Sequence, residues 1–325
     1  MKLIALPAAT DIILPFYLAV EEWAAANLPP EKYFFAWQVA PTVICGRHQD
    51  MGAEVDLDYA SSHDIKVWRR KSGGGAVYAD CNNVMFSYIT PSTDVQTTFS
   101  DYTSMICSML GALGLHAVST GRNDIAINGH KVAGNAFLKL PGRSIVHGTM
   151  LYDADFESMS RVLTPSKAKR ESKGVVSVPS RITTLRREGL SLSCDGFIRH
   201  ATEFLCADGI VTPTDDDIRD IEHIMQTYID PAHLRRNSHG GAGARYYDGL
   251  GQLKVNVTID PHGCIADVEL WGDFLPLKPV DKGLTDKLRG LPYQEATLRK
   301  ALPAINTQAT IAGLTDEILI TAMFT

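Results

Sequence analysis

The 325-residue sequence predicts an α+β protein with a large N-terminal unit and a small C-terminal unit. Helix-like and strand-like stretches both occur in the first part of the chain. The glycine-rich stretch SHGGAGA, Ser238–Ala244, then has the composition of a linker. After it the chain restarts as strands in GQLKVNVTIDPHGCIADVELWG and ends in two predicted helices. We therefore predict a first domain at 1–237, a linker at 238–246 and a small α+β domain at 247–325.

The composition is that of a globular protein and disfavours several classes of function. Hydrophobic residues make up 45% of the chain and charged residues 21%, and the net charge of −6 gives no overall attraction to nucleic acid. The six cysteines show no CxxC spacing and the ten histidines no HExxH spacing, which indicates reduced thiols and no dedicated metal site. No apolar run approaches the roughly 18 residues of a membrane span. We expect a cytoplasmic protein that contacts neither membrane nor nucleic acid.

The first third of the chain predicts two helices and five short strands. The first helix begins near Pro15 and is stopped by Pro29 and Pro30. Strands follow in KYFFAWQVAPTVICGRHQ, in IKVWRR, and as a pair around a polar turn at Asp80–Asn83. FSDYTSMICSMLGALGL then has the apolar stripe of an amphipathic helix, formed by Tyr102, Met105, Ile106, Met109 and Leu113.

Three further strands and two helices are predicted before the linker. The strands lie in NDIAINGHKVAGNAFLKLPGRSIVHGTMLY and are joined by turns at Asn128-Gly129 and Pro141-Gly142. Asn-Gly between β-type residues is the strongest short hairpin signal. The two helices predicted before the linker are Cys194–Cys206 and Asp215–Tyr228. The two predicted for the C-terminal unit are Asp281–Leu288 and Tyr293–Leu302.

A run of three glycines follows three cations in RRKSGGGAVY, residues 69–78. Each glycine costs backbone entropy on folding, so either a turn demands it or something approaches the backbone closely. A structural hairpin or bulge is the simpler interpretation. The alternative is a main-chain surface for a ligand's phosphate or flat group, which the cations favour because fixed positive charge beside open N–H groups attracts anions. The spacing matches neither a P-loop nor a dinucleotide-binding fingerprint.

Lys131 follows the Asn128-Gly129 turn and precedes the small residues of AGNA. A solvated hairpin lysine is the usual interpretation at such a position. With small neighbours, its ammonium could instead lie over a pocket and neutralise a carboxylate and a phosphate brought together. Asp124, earlier in the same stretch, could hold the lysine or assist a Mg²⁺ ion.

A basic stretch at Leu163–Arg181 contains the cations Lys167, Lys169, Arg170, Lys173 and Arg181. A solvated charge run is the usual interpretation, and a lid that closes on a polyphosphate is the alternative. Anion-handling residues in three separate places, without a P-loop, indicate an enzyme that forms an acyl adenylate on a sheet.

The ordered motifs RRKSGGGAVY, NDIAINGHKVAGNAF, HGTMLY and KGVVSVPSRIT resemble those of lipoate–protein ligases. VELWGDF, followed by two predicted helices, resembles the small C-terminal domain of the larger members. The resemblance implies a mixed-sheet catalytic domain of the biotinyl/lipoyl ligase type, related to class II aminoacyl-tRNA synthetases. It also implies an enzyme that uses ATP and Mg²⁺. Lipoate and ATP give lipoyl-AMP and pyrophosphate, and the lipoyl group then passes to a carrier lysine.

The resemblance also implies the carrier and the site residues. The carrier is a lipoyl domain of an oxo-acid dehydrogenase complex or the glycine-cleavage H protein, and we expect the enzyme to be a monomer. Lys131 matches the catalytic lysine, Arg70 is expected to face the nucleotide phosphates, and Asp124 is the candidate Mg²⁺ contact. The implied ATP- and lipoyl-AMP-binding residues are Arg70, Gly75, Ala76, Val77, Tyr78, Asn83, Asn123, Asp124, Lys131 and Lys173. The implied lipoate-binding residues are Ser72, Gly73, Gly74, Gly75, Lys131, Ala133, Gly134, His147, Gly148 and Thr149.

Three other functions are weighed against the ligase. Octanoyl transfer between carriers without ATP would need a cysteine nucleophile near the GRND segment, where Arg122, Asn123 and Asp124 stand instead. Biotin ligation would need a glycine-arginine loop that the sequence lacks. A non-catalytic lipoate-binding or carrier-docking protein would be expected to lack the lysine or the glycine run.

Overall fold

An eight-stranded mixed sheet forms the centre of the N-terminal part of the chain. The computed structural model describes residues 1–7, 13–120, 123–164, 181–235 and 243–325. In spatial order the sheet contains β11 (Ile210–Val211), β1 (Lys2–Ile4), β2 (Tyr33–Trp37), β6 (Asn83–Thr90), β10 (Arg143–Leu151), β9 (His130–Leu140), β8 (Asp124–Ile127) and β7 (Ala117–Thr120). At one end of the sheet, β11, β1 and β2 pair in parallel, and the remaining neighbours pair antiparallel.

Helices cover both faces of this sheet, because successive strand residues point to opposite sides and both sides carry apolar residues. On one face, α4 (Val95–Ala112) and α6 (Cys194–Leu205) pack on Phe34 and Phe86. On the other face, α1 (Leu14–Asn27) and α7 (Asp215–Ile229) pack on Phe35 and Ile89. The predicted helices near Pro15 and around Met109 are confirmed. A further short helix, α8 (Pro231–Arg235), follows α7.

A smaller three-stranded sheet carries the glycine run. Its order is β4 (Lys66–Arg69), β3 (Thr42–Cys45) and β5 (Val77–Ala79), with β3–β4 parallel and β3–β5 antiparallel. Residues 70–76 connect β4 to β5, and we call this segment the glycine loop. The short helices packed on this sheet are α2 (Met51–Glu54), α3 (Leu57–Ser62) and α5 (Phe156–Val162).

The prediction that the strands on either side of Asp80–Asn83 pair with each other is wrong. Both strands form, but β5 pairs with β3, whereas β6 pairs with β2 and β10. Asp80 does make the turn, since its Oδ1 accepts from the Asn82 N–H at 2.8 Å. Every residue of β6 is buried, and both of its edges are occupied by strands of the large sheet. The turn therefore carries the chain from the small sheet to the large one.

The predicted hairpins that lead into and out of β9 are confirmed. Asn128 and Gly129 between β8 and β9 both have positive φ, 51° and 82°, as a two-residue hairpin turn of the primed type requires. Gly142 between β9 and β10 has φ 68°. These turns fix the register of β9, on which Lys131 lies.

The C-terminal part of the chain has its own sheet and its own apolar core. The sheet is antiparallel and contains β12 (Arg245–Tyr247), β13 (Gly251–Ile259) and β14 (Ile265–Gly272). A π-helical turn, Asp281–Thr285, runs into α9 (Asp286–Leu288), and α10 (Glu295–Ile305) follows. The sequence predicted these two helices but missed α11 (Asp316–Met323). The predicted linker at 238–246 lies mostly outside the described residues, so the domain boundaries stay a prediction.

None of the helices in the described parts of the chain combines the length and the apolar character needed to cross a membrane.

Candidate active site

A cavity of about 330 Å³ lies between the glycine loop with β5 on one side and strands β9 and β10 on the other. Thirteen of the residues predicted from the sequence line it: Arg70, Gly74, Gly75, Ala76, Val77, Tyr78, Asn123, Asp124, Lys131, Gly134, His147, Gly148 and Thr149. The predicted residues Ser72, Gly73, Asn83 and Ala133 are described but lie outside the lining. Lys173 lies outside the described residues.

Lys131 presents its ammonium to this cavity from β9. Its Nζ lies 2.7 Å from Asp124 Oδ1 on the neighbouring strand β8, and both side chains are only partly exposed, at 37% and 28%. Gly134 makes this position accessible, because a Cβ there would lie 2.7 Å from Lys131 Nζ. The Thr183 N–H donates to the Lys131 carbonyl at 2.9 Å and closes that side of the strand. The lysine is therefore held in place before any substrate arrives.

Asn123 marks the start of β8 beside the same wall. The Asn135 backbone N–H and side-chain amide donate to the Asn123 carbonyl at 3.0 Å and 2.8 Å. The Asn123 side chain donates in return to the Asn135 carbonyl. This reciprocal pair fixes the strand end next to Asp124.

Arg70 lines the cavity, but the structure directs its guanidinium into the glycine loop. Nε donates to Ser72 Oγ at 3.0 Å, and one terminal nitrogen donates to the Ile44 carbonyl at 2.9 Å. The other donates to the carbonyls of Gly73 at 2.7 Å and Gly75 at 2.9 Å. Burial lowers the pKa of Arg70 to about 10. Its predicted contact with nucleotide phosphates stays a prediction, and its observed contacts hold the loop in shape.

The two cations beside Arg70 also turn away from the cavity. Arg69 is fully buried and donates to the carbonyls of Gly46 at 3.0 Å and Gln49 at 2.7 Å. Lys71 turns toward α1 and α7, where it pairs with Glu22. The sequence interpretation, in which these three cations attract an anion directly, therefore does not describe their observed contacts. Arg69 and Arg70 hold the loop to the end of β3 and the residues after it, and Lys71 holds it to α1.

The three glycines are explained in part by the C-terminal part of the chain. A Cβ at Gly73 would lie 2.3 Å from Pro276 Cδ and 2.6 Å from the Phe274 carbonyl oxygen. Gly74 has φ +89°, which favours glycine, and its N–H donates to the Phe274 carbonyl at 3.0 Å. The close approach predicted for a ligand is thus made at these two positions by the segment that follows β14.

This segment also supplies walls of the cavity that the sequence analysis missed. Asp273 and Leu275 line the cavity next to the glycine loop. The segment is held from the other side as well, since the Gly272 N–H donates to the His48 carbonyl at 2.8 Å and the His48 ring stacks on Phe274. No local signal marks these positions, because only the docking of the C-terminal part brings them to the site.

A buried polar chain crosses the floor of the cavity. Glu21 Oε2 lies 2.7 Å from His147 Nδ1, and His147 Nε2 lies 2.7 Å from Ser72 Oγ. The other Glu21 oxygen accepts from Ser87, which in turn accepts from Trp37 Nε1 at 2.9 Å. Ser72 thus contacts the lining residue His147 from behind and does not itself line the cavity. Sequence reasoning missed Glu21 and Trp37, although a carboxylate on the apolar face of a helix was an available signal.

Asn83 and Ala133 have structural surroundings. Asn83 is fully buried, and its side-chain amide donates to the Tyr78 carbonyl at 3.5 Å at the start of β6. Ala133 packs in the apolar core on the α4 side of the sheet. Their predicted ligand contacts stay predictions. Leu163 and Arg181, which flank the undescribed residues 165–180, both line the cavity.

The residues present suit a Mg²⁺ ion carried by a nucleotide rather than one held by the protein alone. The described residues contain no group of three or more His, Cys, Asp or Glu side chains placed to hold a metal. Mg²⁺ commonly takes one or two protein carboxylates together with substrate phosphates. Asp124 at the cavity edge can supply such a carboxylate, although it already pairs with Lys131.

Comparison with known proteins agrees with this architecture. The sequence model of the lipoyl protein ligase A/B catalytic domain matches residues 15–205, and that of the bacterial lipoate protein ligase C-terminus matches residues 244–323. A probable lipoate-protein ligase A of Mycoplasma pneumoniae is 30% identical over 329 residues, which cover 95% of this chain and 94% of the relative.

Two solved structures show the same fold. The P. falciparum protein LipL1, in complex with lipoate, has a TM-score of 0.74 at 17% identity and covers 99% of this chain and 98% of its own. A lipoate-protein ligase A bound with ATP has a TM-score of 0.60 at 22% identity and covers 73% of this chain and 99% of its own. The predicted fold class is confirmed, and the chain belongs to the lipoate–protein ligase family.

Proposed function

We propose that this protein joins lipoate to ATP to form lipoyl-AMP and then transfers the lipoyl group to a lysine of a carrier protein. The observation that carries the proposal is the cavity bounded by the glycine-loop backbone and by the Lys131 ammonium. Apolar residues such as Leu18, Val77 and Met85 line the same space and suit an alkyl chain. Family membership and the ATP-bound structural relative support the nucleotide requirement.

In the first step, a carboxylate oxygen of lipoate bonds to the α-phosphorus of ATP. The bond from that phosphorus to the bridging oxygen breaks, and pyrophosphate leaves. Negative charge accumulates where the carboxylate meets the phosphate, and Lys131 is placed to stabilise it. Asp124 fixes the ammonium at 2.7 Å, so little reorganisation is needed as the charge develops. Mg²⁺ carried by the nucleotide would neutralise further phosphate charge.

In the second step, the amine of the carrier lysine attacks the carbonyl carbon of lipoyl-AMP. The bond from that carbon to the phosphate oxygen breaks, AMP leaves, and the nitrogen loses a proton to solvent as the amide forms. Lys131 again faces the oxygens on which charge develops, because the same carboxyl group and phosphate take part. The residues thus support both steps at one position in the cavity.

The cysteines favour this reaction over ATP-independent octanoyl transfer. A thioester intermediate needs a reactive thiolate in the cavity. Among the described residues that line the cavity, none is a cysteine. Cys45, which follows the lining residue Ile44, is buried, and burial raises its pKa to about 12. Cys107, the nearest cysteine upstream of the GRND segment, lies within α4.

Replacement of Lys131 by methionine tests the proposal. We expect Lys131→Met to lower lipoate-dependent pyrophosphate release by about 100- to 1,000-fold, the usual cost of removing a group that stabilises transition-state charge. Lys139→Met is the matched control, because Lys139 lies on the same strand β9 but outside the cavity lining. Undiminished release by Lys131→Met, or carrier acylation from free lipoate without nucleotide, would contradict the proposal.

The carrier that we propose is a lipoyl domain of an oxo-acid dehydrogenase complex or the glycine-cleavage H protein. We also propose that the enzyme is monomeric and cytoplasmic. Each apo-carrier is incubated with the enzyme, ATP, Mg²⁺ and either lipoate or octanoate. A mass increase on one lysine identifies the carrier and the preferred acid. A carrier that gains no mass with either acid is not a substrate.

A further inference from the structure

A cluster of side chains around Lys71 lies on the outer side of the glycine loop, away from the cavity. Lys71 Nζ lies 2.8 Å from Glu22 Oε1 and 3.1 Å from Glu22 Oε2, with both side chains about four-fifths buried. It also donates to Thr227 Oγ1 at 2.9 Å and lies 4.3 Å from the centre of the Tyr228 ring. The Tyr228 hydroxyl donates to Glu22 Oε1. We call Lys71, Glu22, Thr227 and Tyr228 the Lys71 cluster.

The cluster joins two helices to the loop at one point. Glu22 belongs to α1, whereas Thr227 and Tyr228 belong to α7. Helix α8, which follows α7, contacts the last residue of β4, since His233 Nε2 lies 3.0 Å from the Arg69 carbonyl oxygen. Helices α7 and α8, which precede the predicted linker, therefore hold the start of the glycine loop in place.

Adjacent carboxylates of α1 hold the loop on both sides of one peptide unit. Glu22 holds Lys71, and Glu21 holds His147, which contacts Ser72 Oγ at 2.7 Å. Ser72 in turn accepts from Arg70, whose guanidinium binds the loop carbonyls. A displacement of residue 71 would therefore move Ser72 and Arg70 and, with them, the glycine wall of the cavity.

We infer that Lys71 is a positioning residue for the reaction proposed above: it sets the place of the glycine loop through Glu22 and Tyr228 without touching substrate. The inference rests on the proposed function. An ordinary exposed ion pair does not restrict the backbone in this way. An example is Lys66 at the start of β4 with Asp64, where the side chains are 60% and 88% exposed. The Lys71 ammonium is confined by an ion pair, a hydroxyl and an aromatic face together.

Kinetics of Lys71→Met, with Lys66→Met as the matched control, test this role. Both replacements remove an ammonium near β4, Lys66 at its first residue and Lys71 just after its last, but only the first replacement disrupts the cluster. Misplacement of a binding wall by about 1 Å can cost up to about 100-fold, so we expect the KM for lipoate to rise about tenfold. The kcat should change less than about twofold, because Lys131 on the opposite wall is untouched. Lys71→Arg should restore most of the loss, and Lys66→Met should behave as wild type.

A double variant separates the cluster from a general loss of stability. If Lys71 acts through Glu22, then Lys71→Met combined with Glu22→Gln should raise the KM for lipoate no more than the stronger single variant does. Multiplication of the two effects would overturn the inference. If Lys71→Met does not fold, Tyr228→Phe keeps the ring and removes only the hydroxyl, and it should raise the KM by a smaller factor.

The outcomes also distinguish this inference from the function on which it rests. A wild-type protein that forms no lipoyl-AMP removes the proposed function. A wild-type protein that forms lipoyl-AMP, beside a Lys71→Met variant with an unchanged KM for lipoate, removes the positioning role alone. The positioning role is also overturned if Lys71→Met lowers kcat by the same factor as it raises the KM for lipoate and Lys71→Arg does not restore either value.

Discussion

Replacement of Arg70 by alanine distinguishes a loop-holding arginine from a phosphate-binding one. In the structure the guanidinium donates four hydrogen bonds to described residues, to one hydroxyl and three carbonyls, and the side chain is 5% exposed. The substrate-free variant therefore loses stability in either case. If these contacts persist when substrates bind, the variant binds lipoate and ATP less well together. If Arg70 instead leaves the loop for the phosphates, only ATP binding suffers.

The expected loss of stability follows from these contacts. A hydrogen bond from a charged donor contributes about 1.5–3 kcal/mol, so four of them amount to about 6–12 kcal/mol before any offset. Removal of the arginine also removes the cost of burying its charge, which is several kcal/mol. We therefore expect Arg70→Ala to lower the free energy of unfolding by about 3–5 kcal/mol, as when one partner of a buried charged contact is deleted.

Thermal unfolding and steady-state kinetics measure the two effects. A loss of that size lowers Tm by roughly 6–20 °C for a domain of about 200 residues. Arg161→Ala is the control, because Arg161 forms an exposed pair with Glu157 and should change stability by less than about 1 kcal/mol. An Arg70→Ala protein with wild-type Tm and a raised KM for ATP alone would refute the reasoning.

Three further predictions concern the cavity floor, the glycine loop and the helix before the linker. His147→Gln leaves the buried Glu21 carboxylate poorly paired, so denaturant titration should show a loss of about 3 kcal/mol. Gly73→Ala places a methyl group 2.3 Å from Pro276 Cδ, and calorimetry should show a loss of about 1–3 kcal/mol from overpacking. Burial lowers the pKa of His233 from its ordinary value of 6.5, so below that pH the unfolded chain takes up the proton first. The Tm of the wild type should therefore fall faster than that of His233→Gln between pH 7 and pH 5, and parallel curves would contradict this.

The elements that the sequence predicted well depend on chemistry within a few residues. Pro15 at a helix start and Asn128-Gly129 in a two-residue turn act locally, and the structure places a helix and a hairpin at these positions. The pairing of β5 was predicted wrongly because the Asp80–Asn83 turn indicates a change of direction but not the neighbouring strand. The third C-terminal helix was missed for want of a sufficiently strong periodic signal.

The residues of the candidate site also fall into those that the sequence predicted and those that only the structure revealed. The motifs led to Lys131 and to the glycine run, and the structure brings them to opposite walls of one cavity. Trp37, Asp273 and Leu275 were missed, because they come from elements far apart in the chain. Glu21 was missed although its carboxylate on an apolar helix was an available signal.

By itself, the sequence determined helices α1, α4, α6, α7 and α10, the two hairpins of β9, the glycine run and the lysine on which the proposed chemistry depends. Only the tertiary structure decided that Arg69, Arg70 and Lys71 turn into the protein and that residues 273–276 press against the glycine loop. The physical reason is that a turn or a helix start is stabilised by its own neighbours. A buried cation takes its direction from carbonyls and carboxylates that other parts of the chain bring to it.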